Sequence, residues 1–174
     1  MQGFVDESKV RGLVVACTVA DPRALNNSRK ALHALRAHGQ RRIHFTKESE
    51  PRRRKICSTI CELEFTVAVY DATSIRDARR SRQAALDAVV LDLSKLAATR
   101  LTIEQDDSLI AADRACLYSA VRRHGIPDLA YHHCRPQEEP LLWVSDAVVW
   151  CYAKGGQWRQ RVEPIIGSVT TVQA

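Results

Sequence analysis

The sequence predicts an α/β fold: a mixed sheet with helices on both faces and an N-terminal β-hairpin. Three observations carry this. Gly3 to Ala20 reads as two apolar strands joined by a polar turn around Lys9 to Gly12. Beyond it, strand-like runs alternate with helix-length segments, in the order β-β-α-β-α-β-α-β-α-β-α. No internal repeat, low-complexity tract or linker interrupts the 174 residues, so one domain over 1–166 is expected, with 167–174 as a frayed tail.

Each element has its own signal. The first strand ends in Asp6 and Glu7, and the second runs from Leu13 to Ala20 through Val, Ala and Cys, a composition suited to burial on both faces. Asp21-Pro22 starts a helix, with Asp as N-cap, and Leu25, Ser28, Leu32 and Leu35 give its inner stripe before Gly39 ends it. Arg42 to Thr46 reads as a short strand. Ser49-Glu50-Pro51 opens a helix with Ile56, Ile60 and Leu63 inward, and Phe65 to Tyr70 is a strand. Thr73 or Ser74 caps the longest helix, reaching about Ala98, whose apolar positions follow the helical period. Arg100 to Gln105 is a strand, Ser108 to Arg123 a helix, Leu129 to His133 a strand and Leu141 to Tyr152 an apolar helix. Trp158 to Ile166 is a further helix.

The charge is +6, from 26 Lys and Arg against 20 Asp and Glu, which favours a polyanionic partner. Local density is higher: Arg41 to Lys55 holds seven basic residues and two acids, and Arg76, Arg79, Arg80 and Arg82 form a second group. Both groups read equally as solvated helix faces or as a nucleic-acid footprint. No apolar run approaches the roughly 20 residues of a membrane span, and the N-terminus lacks a basic signal-peptide region, so a cytoplasmic location is expected. The six cysteines contain no CxxC pair and sit among apolar neighbours, as reduced core cysteines do.

Three acids stand in apolar surroundings. Asp6 ends a strand, where it serves as a turn cap or as a ligand. Glu104 ends the Leu101–Glu104 run, at the strand end where open α/β sheets place their sites. Asp146 sits inside the apolar helix, where it needs an Arg, hydrogen bonds or a metal to offset desolvation. Oxygen donors of this kind suit Mg²⁺ or Mn²⁺. Two such ions can activate water and stabilise the leaving oxygen in phosphodiester cleavage.

Asp6-Glu7-Ser8, Arg42-Ile43-His44-Phe45, Leu142-Trp143-Val144-Ser145-Asp146-Ala147 and Gly155-Gly156-Gln157-Trp158-Arg159 together resemble the bacterial domain-of-unknown-function 3800 family of the ribonuclease H-like superfamily. The resemblance spans residues 3 to 160. It implies a ribonuclease H-like fold with Asp6 and Asp146 as metal ligands and Glu104 as the acid at the end of a central strand. Lys9 departs from the family's usual Gly, and Ser145 from its Ala. A fourth acid has only Glu7, Glu48 and Asp107 as candidates. In this setting His44 and Lys47 would contact a scissile phosphate, and Arg52, Arg53 and Arg54 would hold the nucleic-acid backbone. The expected function is therefore metal-dependent nuclease or phosphoryl-transfer chemistry. The alternative is a catalytically inactive nucleic-acid-binding or protein-interaction module on the same fold.

Overall fold

The computed structural model describes residues 1–173. Its centre is a six-stranded sheet of β1 (Gln2–Ser8), β2 (Val14–Ala20), β3 (Phe65–Asp71), β4 (Arg100–Glu104), β5 (Ala130–Cys134) and β6 (Ile166–Thr171), in the spatial order β5-β4-β1-β2-β3-β6. The β1–β2 and β2–β3 pairs are antiparallel, and β1–β4, β4–β5 and β3–β6 are parallel. Six helices cover the sheet: α1 (Leu25–Ala34), α2 (Glu50–Ile60), α3 (Ala78–Lys95), α4 (Ile110–Arg123), α5 (Leu141–Lys154) and α6 (Gly156–Val162).

Strand alternation divides the core into two layers. Phe4, Val14 and Ala16 face α1, α2, α5 and α6, whereas Val5, Val15 and Cys17 face α3 and α4. Both faces of β1 and β2 are thus covered, which accounts for their nearly unbroken apolar sequence. Helix α5 is buried over most of its circumference, as its composition requires, and it lies on β1 and β2.

Five local expectations are corrected. Arg42–Thr46 is not a strand: Phe45–Lys47 forms a single 3-10 turn, and the Phe45 N–H is donated to Asp146 rather than to a neighbouring strand. Asp21 does not cap α1. Its carboxylate accepts the Arg23 N–H and pairs with the Arg23 guanidinium, so a turn precedes the helix, which starts at Leu25. Similarly, Asp71 holds Thr73 in a turn, and the cap of α3 is Asp77, which accepts the Arg80 N–H at 2.7 Å. Finally, Ile166–Thr171 is no frayed tail but an edge strand parallel to β3, extended by a bond from Val172 N–H to Asp71 O at 2.8 Å. The segment expected as a helix over 158–166 is α6 followed by a 3-10 turn at Glu163–Ile165.

Candidate active site

The parallel register of β1 and β4 pairs Val5 with Ile103. One residue further on each strand come Asp6 and Glu104, at the carboxyl ends and on the face that Phe4 shares with α5. The Glu104 carboxylate is near enough for its charge to act on Asp6. Burial pushes the Asp6 pKa well above its ordinary value, and the charges of Glu104 and Asp146 push it further. Burial likewise raises Glu104, against the opposing pull of Arg42, whose guanidinium stands 3.5 Å from the Glu104 carboxylate.

Asp146 reaches this group from α5. Burial raises its pKa, and the Phe45 N–H, donated to Oδ2 at 2.9 Å, and the nearby His44 and Arg42 lower it. His44 Nδ1 lies 3.9 Å from Oδ2 and is itself buried without a hydrogen-bond partner. Of the partners offered for Asp146, an Arg, hydrogen bonds or a metal, the structure shows a hydrogen bond, from the Phe45 backbone amide.

Ser145 fixes the height of α5 over the sheet. Its hydroxyl is 2.7 Å from Thr18 Oγ1 and donates to Phe4 O at 2.8 Å, while the Thr18 N–H donates to it at 3.3 Å. Ser145 and Thr18 are both fully buried. Ser145, one of the two residues that depart from the resembled family, therefore clamps the helix bearing Asp146 onto β1 and β2. Sequence reasoning missed Ser145, Thr18 and Arg42 as site residues; only Arg41-Arg42 beside His44 gave a signal.

The other predicted residues fall outside this carboxylate group. Lys47 is exposed on the 3-10 turn. Arg52 is tied to Glu48 at 2.6 Å and to Leu35 O at 2.8 Å. Arg53 donates to Phe45 O and Thr46 O, and its guanidinium lies 4.5 Å from the Trp150 ring centre. Arg54 is exposed and pairs with Glu50. Of the candidates for a fourth acid, Glu7 pairs with Lys9 and Arg82, Glu48 holds Arg52 and Gln40, and Asp107 accepts from Gln105. Among the described residues, no three His, Cys, Asp or Glu side chains stand together as ready metal ligands. A basic concavity lined by Arg36, Arg41, Arg135, Gln137 and Glu138 adjoins Arg42 and β5 in the chain.

No family model and no curated protein matches the sequence. Among solved structures, the chain is similar to the ribonuclease HII of the PCNA:RNase HII complex from Archaeoglobus fulgidus, with 15% identity and a TM-score of 0.55 over 86% of this chain and 70% of that one. At that identity the likeness establishes architecture: the mixed six-stranded sheet, its N-terminal antiparallel hairpin and its flanking helices form a ribonuclease H-like fold.

Proposed function

We propose that this chain is a metal-dependent nuclease or related phosphoryl-transfer enzyme of the domain-of-unknown-function 3800 type, acting on nucleic acid through Asp6, Glu104 and Asp146. The observation that carries the reading is the placement of the three acids: Asp6 and Glu104 at neighbouring ends of β1 and β4, and Asp146 on the helix packed over β1. Each of the three acids is raised by burial, and the charge of Asp146 raises both Asp6 and Glu104. A fold gains nothing from bringing such groups together unless a cation or protons relieve the repulsion.

The donor set fits a hard divalent cation, since all three groups offer carboxylate oxygen. Asp6, Glu104 and Asp146 would hold Mg²⁺ or Mn²⁺ through their ionised carboxyl groups. The ion would supply charge stabilisation at a phosphoryl oxygen and activation of water. The chain's own groups do the rest. Arg42 partly neutralises Glu104, the Phe45 N–H orients Asp146, and the partly exposed His44 ring beside Asp146 is placed to meet a phosphate oxygen. Arg36, Arg41 and Arg135, together with the exposed Lys47 and Arg54, provide cationic contacts for the backbone.

The test is cleavage of end-labelled single-stranded RNA, DNA and hybrid duplex by the full chain in Mg²⁺ or Mn²⁺. Asp6→Asn, Glu104→Gln and Asp146→Asn should each lower the rate about a hundredfold or more. Cleavage that survives all three changes would locate the chemistry elsewhere. A second reading, a binding module without catalysis, draws on the absence of ready ligands among the described residues and on the ion pair between Arg42 and Glu104. It predicts nucleic-acid binding with no Mn²⁺-dependent rise in melting temperature.

A further inference from the structure

A cavity of about 670 Å³ lies between the hairpin turn and the N-terminal halves of α3 and α4, on the sheet face opposite the three carboxylates. Its origin is legible in the side chains. Further along the same two helices, Val89, Val90 and Leu93 of α3 meet Leu117 and Val121 of α4, and that part of the layer is closed. Toward the cavity α4 presents the small side chains Ala112, Ala115, Cys116 and Ser119, of which Cys116 donates to Gln83 O of α3 at 3.6 Å. Leu13, Ile75, Leu86 and Leu109 make its walls apolar, and no aromatic side chain lines it.

Its charge is one-sided. Lys9, Arg76, Arg79 and Arg82 line it with a single acid, Asp113. Asp113 is already matched: Arg82 donates to both of its oxygens at 2.6 and 2.8 Å, and His133 Nε2 lies 2.9 Å from Oδ2. Lys9 pairs with Glu7 at 2.8 Å. Arg76 and Arg79 are exposed and make no ion pair among the described residues. The volume falls in the range of about 300–1,000 Å³ usual for small-molecule sites. The absence of a stacking surface argues against a nucleobase.

We propose that this cavity is a second binding site, for a small amphipathic anion: one carboxylate or phosphate on a straight or alicyclic hydrocarbon body. The body fills the space left by Ala112, Ala115 and Ser119, and Arg76 and Arg79 hold the anion at the mouth. Because the cavity and the carboxylate group lie on opposite sheet faces, the ligand leaves the candidate active site unobstructed.

Isothermal titration of the full chain with octanoate, and with 1-octanol as its uncharged counterpart, tests the assignment. Octanoate should bind with a dissociation constant of about 1 mM or tighter, and 1-octanol more weakly. The double variant Arg76→Gln/Arg79→Gln should weaken octanoate about fivefold or more and leave 1-octanol unchanged. Ala112→Phe should abolish both; if it melts below wild type, Ser119→Leu takes its place. No binding of octanoate at millimolar concentration overturns the proposal, as does equal binding of octanoate and 1-octanol or undiminished binding by the cavity-filling variant. Sedimentation showing a dimer that Ala112→Phe dissociates would assign the groove to a second copy and likewise overturn it.

Discussion

Asp6 is the residue on which most of the candidate site's electrostatics turns. Burial and the charges of Glu104 and Asp146 raise its pKa in the folded chain. The linked stability is complete below the ordinary carboxylate value of 3.8 and is lost as pH rises through the folded value. Asp6→Asn removes that loss. The variant should therefore melt above wild type at about pH 7, and the difference should close as pH falls toward about 4. A difference independent of pH would mean that Asp6 does not titrate in the folded chain. Asp146→Asn tests the neighbouring residue. The amide oxygen can still accept the Phe45 N–H, so metal-free stability should equal or exceed that of wild type, while any Mn²⁺-induced rise in melting temperature disappears. Marked destabilisation without metal, with the Mn²⁺ response intact, would make Asp146 a structural residue.

Among the elements, α5 depends on one hydroxyl for its seating. Ser145→Ala leaves the Thr18 N–H and hydroxyl without their buried partner and should cost about 1–3 kcal/mol in denaturant unfolding. In α2 the three consecutive arginines separate by role. Arg52 and Arg53 brace the chain around Leu35 and Phe45, so their alanine variants should lose stability. Arg54→Ala should instead reduce the salt slope of nucleic-acid binding by about one. The elements also show what was legible in the sequence. Strands β1 to β5 announced themselves because two-sided or alternating burial dictates their composition. Strand β6 did not, because at this edge most of its side chains are exposed and no alternation marks them. Arg42–Thr46 has strand composition, with Ile43 and Phe45 buried, yet its amide hydrogen bond goes to a side chain across the chain. Asp6, Glu104 and Asp146 stood out as acids among apolar neighbours. Their supports, Arg42, Thr18 and Ser145, carry no such mark, because what they do depends on register and helix placement.

At the scale of the molecule, the helical layer opposite the carboxylates is pinned by a buried ionic group. Arg82 of α3 joins Asp113 of α4 and Glu7 at the end of β1, and His133 of β5 completes the set. Asp113 is 1% exposed, so Arg82→Met strands an uncompensated charge and should destabilise the chain by about 3–5 kcal/mol. Arg82→Met combined with Asp113→Leu should recover much of that loss in equilibrium denaturation. A double variant no more stable than Arg82→Met alone would show that the ions are needed for more than mutual neutralisation.

The clamp between Ser145 and the first hairpin has a consequence in time. Ser145 meets Phe4 and Thr18 across separations of 141 and 127 residues. Contacts of such long range close slowly, because the intervening chain must first give up its freedom. During synthesis, Phe4, Val14 and Ala16 emerge long before α5, the helix that covers them, has been made. The apolar face of the first hairpin therefore waits without its partner while more than a hundred residues are added, which makes it a surface open to a chaperone and a seed from which a chain truncated before α5 would aggregate.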